Sequence, residues 1–396
     1  MTTMVAQKVK CRACDGDMSL LVDLGRLPAS TIYTAEPTPD ADMTPVRIFG
    51  CSCGYVGLGD LVDPRVLYCG DSHEFTGVRM SGYLKEYAAW VMEGYRRNDR
   101  PYGVQHRILD IGSNDGTFLT NFKEGGWNIL GVDPAIEPGR LARSRGIPTE
   151  TCFFDHNFVE KYLSKYPKPD IITANRVWAN MADLDQATEC VNRLLAPDGY
   201  FIIETGYLLP ILENMLVETI YPEHISYDTL FGMRAFFERY GMYVVDAEES
   251  PVKGGSLRVV VRYVRSVMSR SMVDILKREA VWLQSNPWAG FKDRLGAERE
   301  RIASNMEIGF GQTYGYGAGM PGMALTFYLG LQDRLSATID EDFTLWGKFM
   351  PGTGIPIVGP TAIMEADRCV LLAHRYAQSI MAKHRGFNRW LIPFQS

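Results

Sequence analysis

Apolar residues along the chain change their spacing several times, and the changes divide it. From Gly82 to Arg97 they recur at helical intervals (Tyr83, Tyr87, Trp90, Val91), which predicts a helix. Short apolar runs follow at Arg107–Ile111, Asn128–Val132, Asp170–Ala174, Tyr200–Glu204, Tyr243–Glu248 and Leu257–Arg262, with helical stretches between them. That alternation predicts a mostly parallel, doubly wound sheet with helices on both faces. A helical stretch, Met272–Leu283, leads to a second α/β unit that starts near Asn305. There a strand enters the turn Gly311-Gln-Thr-Tyr-Gly-Tyr-Gly-Ala-Gly319, and Thr338-Ile-Asp340 repeats the strand-then-acid pattern of the first sheet. Residues 1–75 have little helical periodicity and are rich in Cys, Gly, Pro and Asp, so they read as a small loop-rich module. The expected divisions are 1–75, 76–265 and 266–396.

Composition narrows the function classes. With 396 residues, 46% hydrophobic and 22% charged, the chain suits a soluble globular protein. A net charge of -6 offers no basic face for nucleic acid. The N-terminus, Met-Thr-Thr-Met-Val-Ala-Gln-Lys, lacks the apolar core of a signal peptide, and no stretch is long and apolar enough for a bilayer. The eight cysteines are too sparse and uneven for a disulfide scaffold, which points to a reducing cytoplasm. No oligomeric state is implied.

The richest stretch is Leu109-Asp-Ile-Gly-Ser-Asn-Asp-Gly-Thr-Phe-Leu119, followed by Gly131-Val-Asp133-Pro. A strand runs into a glycine-bearing turn, a helix follows, and a second strand ends in an acid. At the switch point of a doubly wound sheet this sets a small-residue loop beside an acid, where a nucleoside can lay its sugar. Gly112-Ser-Asn114-Asp-Gly116 lacks the third glycine of a dinucleotide fingerprint. The start at Asp110 and Gly112 resembles instead the first motif of class I S-adenosylmethionine (SAM) methyltransferases. An ordinary strand-turn-helix is the plainer alternative.

Four further patterns carry candidate chemistry. Cys11-x-x-Cys14 and Cys51-x-Cys53 are two tight pairs that suit one structural, tetrahedral Zn(II), with reduced core cysteines as the alternative. Cys69, Cys152, Cys190 and Cys369 are scattered and read as small buried hydrophobes. In Ile220-Tyr-Pro-Glu223-His224-Ile-Ser-Tyr227 a histidine sits beside a carboxylate and between tyrosines. It suits a general base near neutral pH, although a packing or capping histidine is the commoner case on residue type alone. In Lys253-Gly-Gly-Ser256-Leu-Arg258 a hairpin accounts for the glycines, while Arg258 within a strand calls for an anion, either an internal carboxylate or a substrate phosphate. Gly315-Tyr-Gly317-Ala-Gly319-Met-Pro-Gly322 reads as a packing turn or a docking edge for part of a substrate, rather than as a nicotinamide site.

Taken in order, these pieces resemble the deoxysugar C-methyltransferases that act on nucleotide-linked 4-keto sugars in antibiotic and surface-glycan pathways. The resemblance extends over nearly the whole chain and adds Pro351-Gly-Thr-Gly-Ile-Pro-Ile357 to the motifs above. It implies a zinc-binding module, a class I SAM-methyltransferase Rossmann-like sheet, and a second Rossmann-like α/β domain that helps hold the nucleotide-sugar. It also implies that His224 is the base, assisted by Glu223 and Tyr221. The chain departs from the family pattern at Pro222, at the C-x-C spacing, at Gly319-Met-Pro where a lysine is expected, and at Ser72-His73-Glu74-Phe75 in place of tyrosines.

The resulting expectation is C-methylation beside the ketone of a nucleotide-linked keto-deoxysugar. His224 takes the proton, Glu223 orients its imidazole, and Tyr221 or Tyr227 donates to the enolate oxygen. Asp133 binds the ribose of SAM. Asp110, Gly112, Ser113, Asn114, Gly116, Phe154 and Asn175 complete the cofactor site, and Ser256, Arg258 and Tyr316 bind the acceptor. The alternatives are O- or N-methylation of another small acceptor and a nucleotide-sugar-binding pseudoenzyme.

Overall fold

A computed structural model of the chain describes residues 9–29, 32–39, 41–68, 78–95, 105–307 and 311–395. The N-terminal module is built, between its loops, on a four-stranded antiparallel sheet of β1 (Val9–Lys10), β2 (Asp17–Pro28), β3 (Met43–Gly50) and β4 (Val56–Leu58), in that order. Its long strand hides from pattern reading because the β2–β3 register slips twice, between Leu20 and Val22 and between Asp23 and Arg26. Each slip resets the alternation of period two. Gly25 absorbs the second slip with φ +93. Val22, Leu27, Val46, Ile48 and Leu58 are buried beneath the sheet.

The central domain carries β5 (Arg107–Ile111), β6 (Asn128–Val132), β7 (Thr149–Glu150), β8 (Ile171–Asn175), β9 (Tyr200–Gly206), β10 (Tyr243–Ser250) and β11 (Ser256–Arg262). Their order is β10-β11-β9-β8-β5-β6-β7. Strands β5 to β9 run parallel, and β11 is inserted antiparallel between β9 and β10. This is the class I SAM-methyltransferase arrangement. The strands are covered on both faces, so Ile108, Leu109, Ile171, Ile172, Ile202 and Ile203 are all fully buried. They therefore read as unbroken apolar runs. The helix expected from Gly82 begins earlier, at Val78, and ends at Gly94, with Tyr87 and Val91 packed against Phe118 and Phe122. Since β6 and β8 lie on opposite sides of β5, the crevice opens at the carboxyl ends of these strands.

Two helices, Arg270–Gln284 and Pro287–Glu307, lead to a five-stranded parallel sheet. It comprises β12 (Thr313–Tyr316), β13 (Ala337–Ile339), β14 (Ile357–Val358), β15 (Arg368–Val370) and β16 (Trp390–Leu391), in the order β14-β13-β12-β15-β16. The second helix escaped the pattern because it buries only a thin line, Phe291, Leu295, Glu298 and Ile302. The two parallel sheets share one construction at their first turns. Asp133 accepts from the amides of Asn114 (2.9 Å) and Ala135 (2.8 Å). Asp340 accepts from those of Ala318 (2.7 Å) and Asp342 (2.8 Å). In the second turn Gly317 takes φ +105, and a side chain on Gly322 would overlap the Gly317 carbonyl, so close packing accounts for these glycines. Among the described residues, no helix is long and apolar enough to cross a membrane.

Candidate active site

One cavity of about 910 Å³ lies at the carboxyl ends of β5, β6, β8 and β9. Its floor is the first glycine turn. Gly112 takes φ +67, and a Cβ there would stand 2.9 Å from Val177. Asp110, Gly112, Ser113, Asn114, Asp133, Phe154 and Asn175 all line the cavity, as the sequence predicts. Gly116 does not. Its φ is +76 and a Cβ would meet Ile147 at 2.9 Å, so it shapes the turn and lets the helix approach Ile147. Asp110 accepts from Thr173 Oγ1 (2.6 Å) and Asn175 Nδ2 (3.3 Å). Burial, and secondarily the Asp133 charge, push its carboxyl up to about 7. Ser113 Oγ and Asn175 Oδ1 are buried with no hydrogen-bond partner among the described residues. Unsatisfied buried acceptors facing a cavity ask for a polar ligand.

The other end of the cavity is built on Tyr221-Pro-Glu-His224. The amide of His224 donates to the Tyr221 carbonyl at 3.0 Å, so Pro222 occupies the second position of a tight turn, where its fixed φ is an asset. His224 Nδ1 meets the Thr219 carbonyl at 2.9 Å, and Nε2 meets the Tyr221 hydroxyl at 3.1 Å. Burial lowers the imidazole to about 3, with Arg176, Lys253 and Arg375 adding to the shift, so the ring is neutral at neutral pH. Glu223 and Tyr227 line the same wall. Both ring nitrogens of His224 are engaged by Thr219 and Tyr221, so the orienting role expected of Glu223 falls to those two groups. Burial holds the Tyr227 phenol well above its ordinary value, so it stays a neutral hydroxyl.

The three residues expected to bind acceptor lie outside the cavity wall. Arg258 is buried between carboxylates, with Nε 2.9 Å from Glu204 and Nη1 2.6 Å from Glu248, and its guanidinium stacks 4.3 Å from the Tyr87 ring centre. Of its two open alternatives, the internal carboxylate is the one present. Ser256 is buried and accepts from Arg176 Nη1 at 2.8 Å. Tyr316 sits in the core of the C-terminal sheet, hydrogen-bonded to His384 at 2.9 Å. What reaches the cavity instead is Arg176, Glu204, Lys253 and Arg375. Glu204 was within reach of sequence reasoning as a carboxylate at the carboxyl end of a central strand. Arg176 owes its place to a left-handed φ of +55 just past β8, which no residue pattern announces.

Residues 79–247 match the family described as a methyltransferase domain, and residues 251–394 match the C-methyltransferase C-terminal domain. The chain is 30% identical to C-methyltransferase NovU of Streptomyces niveus over 402 residues, spanning 97% of this chain and 95% of that protein. The chain belongs to the C-methyltransferase family. A ubiquinone biosynthesis O-methyltransferase of Colwellia psychrerythraea is 22% identical over 44% of this chain and 75% of its own. Among solved structures, the magnesium protoporphyrin IX methyltransferase of Synechocystis PCC 6803 aligns over 50% of this chain and 90% of its own, at 13% identity and a TM-score of 0.37. This C-methyltransferase is thus a SAM-dependent methyltransferase.

The four paired cysteines of this C-methyltransferase converge. The sulfurs of Cys11, Cys14, Cys51 and Cys53 all lie within 4.8 Å of one another. Arg12, between the first two, donates to the Leu58 carbonyl (3.1 Å), to the Tyr55 hydroxyl (2.9 Å) and to the carbonyl of Ile225, the residue after His224. Segment 225–227 is further bound to β4 through Leu58 N to Ile225 O (3.0 Å) and Tyr227 N to Val56 O (2.9 Å). No side chain fits at Gly57, where a Cβ would stand 2.6 Å from Arg12, Ile225 and Tyr55 alike. Cys190 and Cys369 are buried and Cys152 is half-buried, while Cys69 and His73 fall outside the described residues.

Proposed function

We propose that this C-methyltransferase transfers a methyl group to the carbon beside the ketone of a nucleotide-linked keto-deoxysugar, in pathways that supply antibiotics or surface glycans. The observation that carries the reading is the neutral His224, wired to Thr219 and Tyr221, in the wall of the cavity that also holds the cofactor turn. Methylation of carbon needs a proton removed from carbon, and a ketone beside that carbon makes the proton removable.

The cofactor end fits SAM. Asp133, set at the end of β6 by the Asn114 and Ala135 amides, suits ribose hydroxyls, and the Ser113 and Asn175 oxygens, unpartnered among the described residues, suit the polar groups beyond. When bound, SAM supplies an electrophilic methyl group. The protein's own part lies with the acceptor. Because a carbonyl only accepts, Nδ1 of His224 carries the proton and Nε2 keeps the lone pair. The Tyr221 hydroxyl covers that lone pair, so the proton leaves the acceptor carbon through Tyr221 oxygen as Tyr221 hands its own to Nε2. Tyr227 donates to the growing enolate oxygen, and Glu223 sits beside the reacting end. The buried walls exclude water, which would otherwise return the proton.

The cysteine cluster fits Zn(II). A tetrahedral site with bonds of ~2.3 Å has sulfurs about 3.8 Å apart. The Cys11–Cys53 and Cys14–Cys51 pairs, at 3.6 and 3.5 Å, are near that edge. We assign it a structural role, because four thiolates leave no open position for substrate. Thiolate ligands of this kind suit a reducing, cytoplasmic setting.

The test is methyl transfer from SAM to nucleotide-linked 4-keto sugars carrying deuterium beside the ketone, read by mass. A new methyl with loss of that deuterium is expected. A new methyl with the deuterium retained means transfer to oxygen or nitrogen, and no product across the panel leaves a binding protein.

A further inference from the structure

Three cations meet at the acceptor end of the cavity from three parts of the chain. Arg176 follows β8, Lys253 sits in the turn before β11, and Arg375 follows β15 in the C-terminal domain. The two arginines are not solvent-exposed tethers, since their side chains are 19% and 15% exposed. Arg176 Nη1 donates to Ser256 Oγ at 2.8 Å, and Ser256 in turn donates to the Val252 carbonyl at 3.1 Å. Arg375 Nη1 donates to the Lys253 carbonyl at 2.6 Å. Both guanidiniums are therefore pinned to the same 252–256 turn. That turn is rigid: Gly254 and Gly255 take φ +91 and +139, and side chains there would collide with Leu216 and Pro210.

The remaining anchor is a buried carboxylate. Glu218, 1% exposed, lies within ion-pair distance of Arg375 Nε at 2.9 Å and has His374 Nε2 at 3.2 Å, neither contact with hydrogen-bond geometry. It belongs to the short 3-10 turn Val217–Thr219, whose last residue holds His224. A carboxylate this deep is costly unless paired, and both its partners come from the other domain. Among the described residues, Arg375 donates one hydrogen bond, to the Lys253 carbonyl, beside its ion pair with Glu218, and a guanidinium offers five N–H groups; the residue lines the cavity.

We propose that Arg176, Lys253 and Arg375 form a subsite for an oxyanion of the acceptor, a phosphate or a carboxylate, and that Glu218 is the positioning residue that holds Arg375 there. The assignment rests on reading the His224 end as the acceptor end. In a nucleotide-linked acceptor the oxyanion is the diphosphate. Planar guanidiniums match oxyanions by paired hydrogen bonds, and charge-assisted bonds of this kind are about twice as strong as neutral ones. Because the catalytic and C-terminal domains both contribute, the subsite is complete only when they are docked. The same three cations add to burial in keeping His224 a weak base. An anion seated among them offsets their charge, so the acceptor strengthens its own base on arrival.

The experiment is calorimetry on protein saturated with S-adenosylhomocysteine, using inorganic pyrophosphate and, separately, glucuronate as probes. Arg375→Gln and Lys253→Gln are each expected to weaken pyrophosphate binding by roughly 10-fold or more, with S-adenosylhomocysteine affinity kept. Lys253→Gln leaves the Glu218–Arg375 pair intact, so a folding defect in Arg375→Gln does not decide the matter. Glu218→Gln should weaken pyrophosphate binding too, and adding it to Arg375→Gln should cost nothing further, which a merely structural role does not predict. If both probes bind the variants as they bind the wild type, or bind neither, the subsite is overturned. If only glucuronate binding depends on Arg375, the subsite stands and the nucleotide-linked acceptor is the reading that fails.

Discussion

The Nδ1 nitrogen of His224 lies 2.9 Å from the carbonyl oxygen of Thr219. That one contact fixes the tautomer of the ring and turns its lone pair toward Tyr221 and the cavity. Few side chains in the molecule are so fully committed by so short a piece of backbone.

His224→Ala is therefore expected to lower turnover by roughly 10²–10⁴-fold, as loss of a general base does. SAM affinity should barely change. Exchange of the proton beside the ketone should stop even with S-adenosylhomocysteine in place of SAM, because exchange needs the base and not the methyl. Tyr221→Phe should slow exchange to a similar degree, since its hydroxyl stands between the acceptor and Nε2. Near-normal exchange in both variants moves the base elsewhere, with Glu223 and Tyr227 the next to test.

The depressed His224 also gives stability a pH dependence. Its folded value, about 3, lies below the ~6.5 of an unfolded histidine, so the unfolded chain binds the extra proton first. Stability is complete above the unfolded value and falls as pH drops toward the folded one, by up to about 1.4 kcal/mol per pH unit. The groups facing the ring are Tyr221, Arg176, Lys253 and Arg375, with Glu223 beside it on its own turn. Urea denaturation between pH 7 and 4 should show a shallower slope for His224→Gln than for the wild type. Equal slopes place the proton uptake on another group.

Much of this was legible in the residues, and what was not has physical causes. Strands β5 and β6 have the bounds that the apolar runs predict, because both faces are covered and their inner positions, Ile108-Leu109 and Ile129-Leu130-Gly131-Val132, are apolar or small. The turn after β5 and its place on the cavity were legible because glycines, a serine and an acid stand there at fixed offsets. β2 was not, because its two register slips erase the alternation. Arg258 marked a real need for an anion, but sequence cannot choose between a carboxylate in the fold and one in a ligand. Arg375 and Glu218 lie 157 residues apart in number and meet only through domain docking.

Asp133→Ala should weaken SAM binding by about 1.5–3 kcal/mol for each charged hydrogen bond lost. The substitution also frees the Asn114 and Ala135 amides, so the cofactor turn itself should loosen. Calorimetry with SAM measures the first effect and amide exchange at Asn114 the second. Unchanged SAM affinity would mean that another residue holds the ribose.

Arg258→Gln tests the buried pair. Glu204 has a side chain only 2% exposed, and removing Arg258 leaves it the Tyr83 hydroxyl and Arg176 at 4.0 Å, so the loss should stay at or below the ~3–5 kcal/mol of broken buried pairs. Denaturation should show most of that loss. If the variant is as stable as the wild type but binds acceptor poorly, Arg258 belongs to the substrate after all.

The N-terminal module should matter for catalysis and not only for folding. Elemental analysis of protein purified without chelator is expected to find one zinc, and Cys14→Ser should lose it. The cysteine cluster sets the position of Arg12, whose guanidinium reaches the carbonyl of Ile225, while β4 pairs with the residues on either side of Ser226. The chain from the cluster to His224 is thus one side chain and one peptide long. Cys14→Ser and Arg12→Met should accordingly slow proton exchange at the acceptor carbon while SAM affinity survives. Arg12→Met is the sharper of the two, since it spares the cysteines and removes only the link. Should Arg12→Met exchange protons at the wild-type rate, the module is a separate staple, and the position of His224 rests on Thr219 and Tyr221 alone.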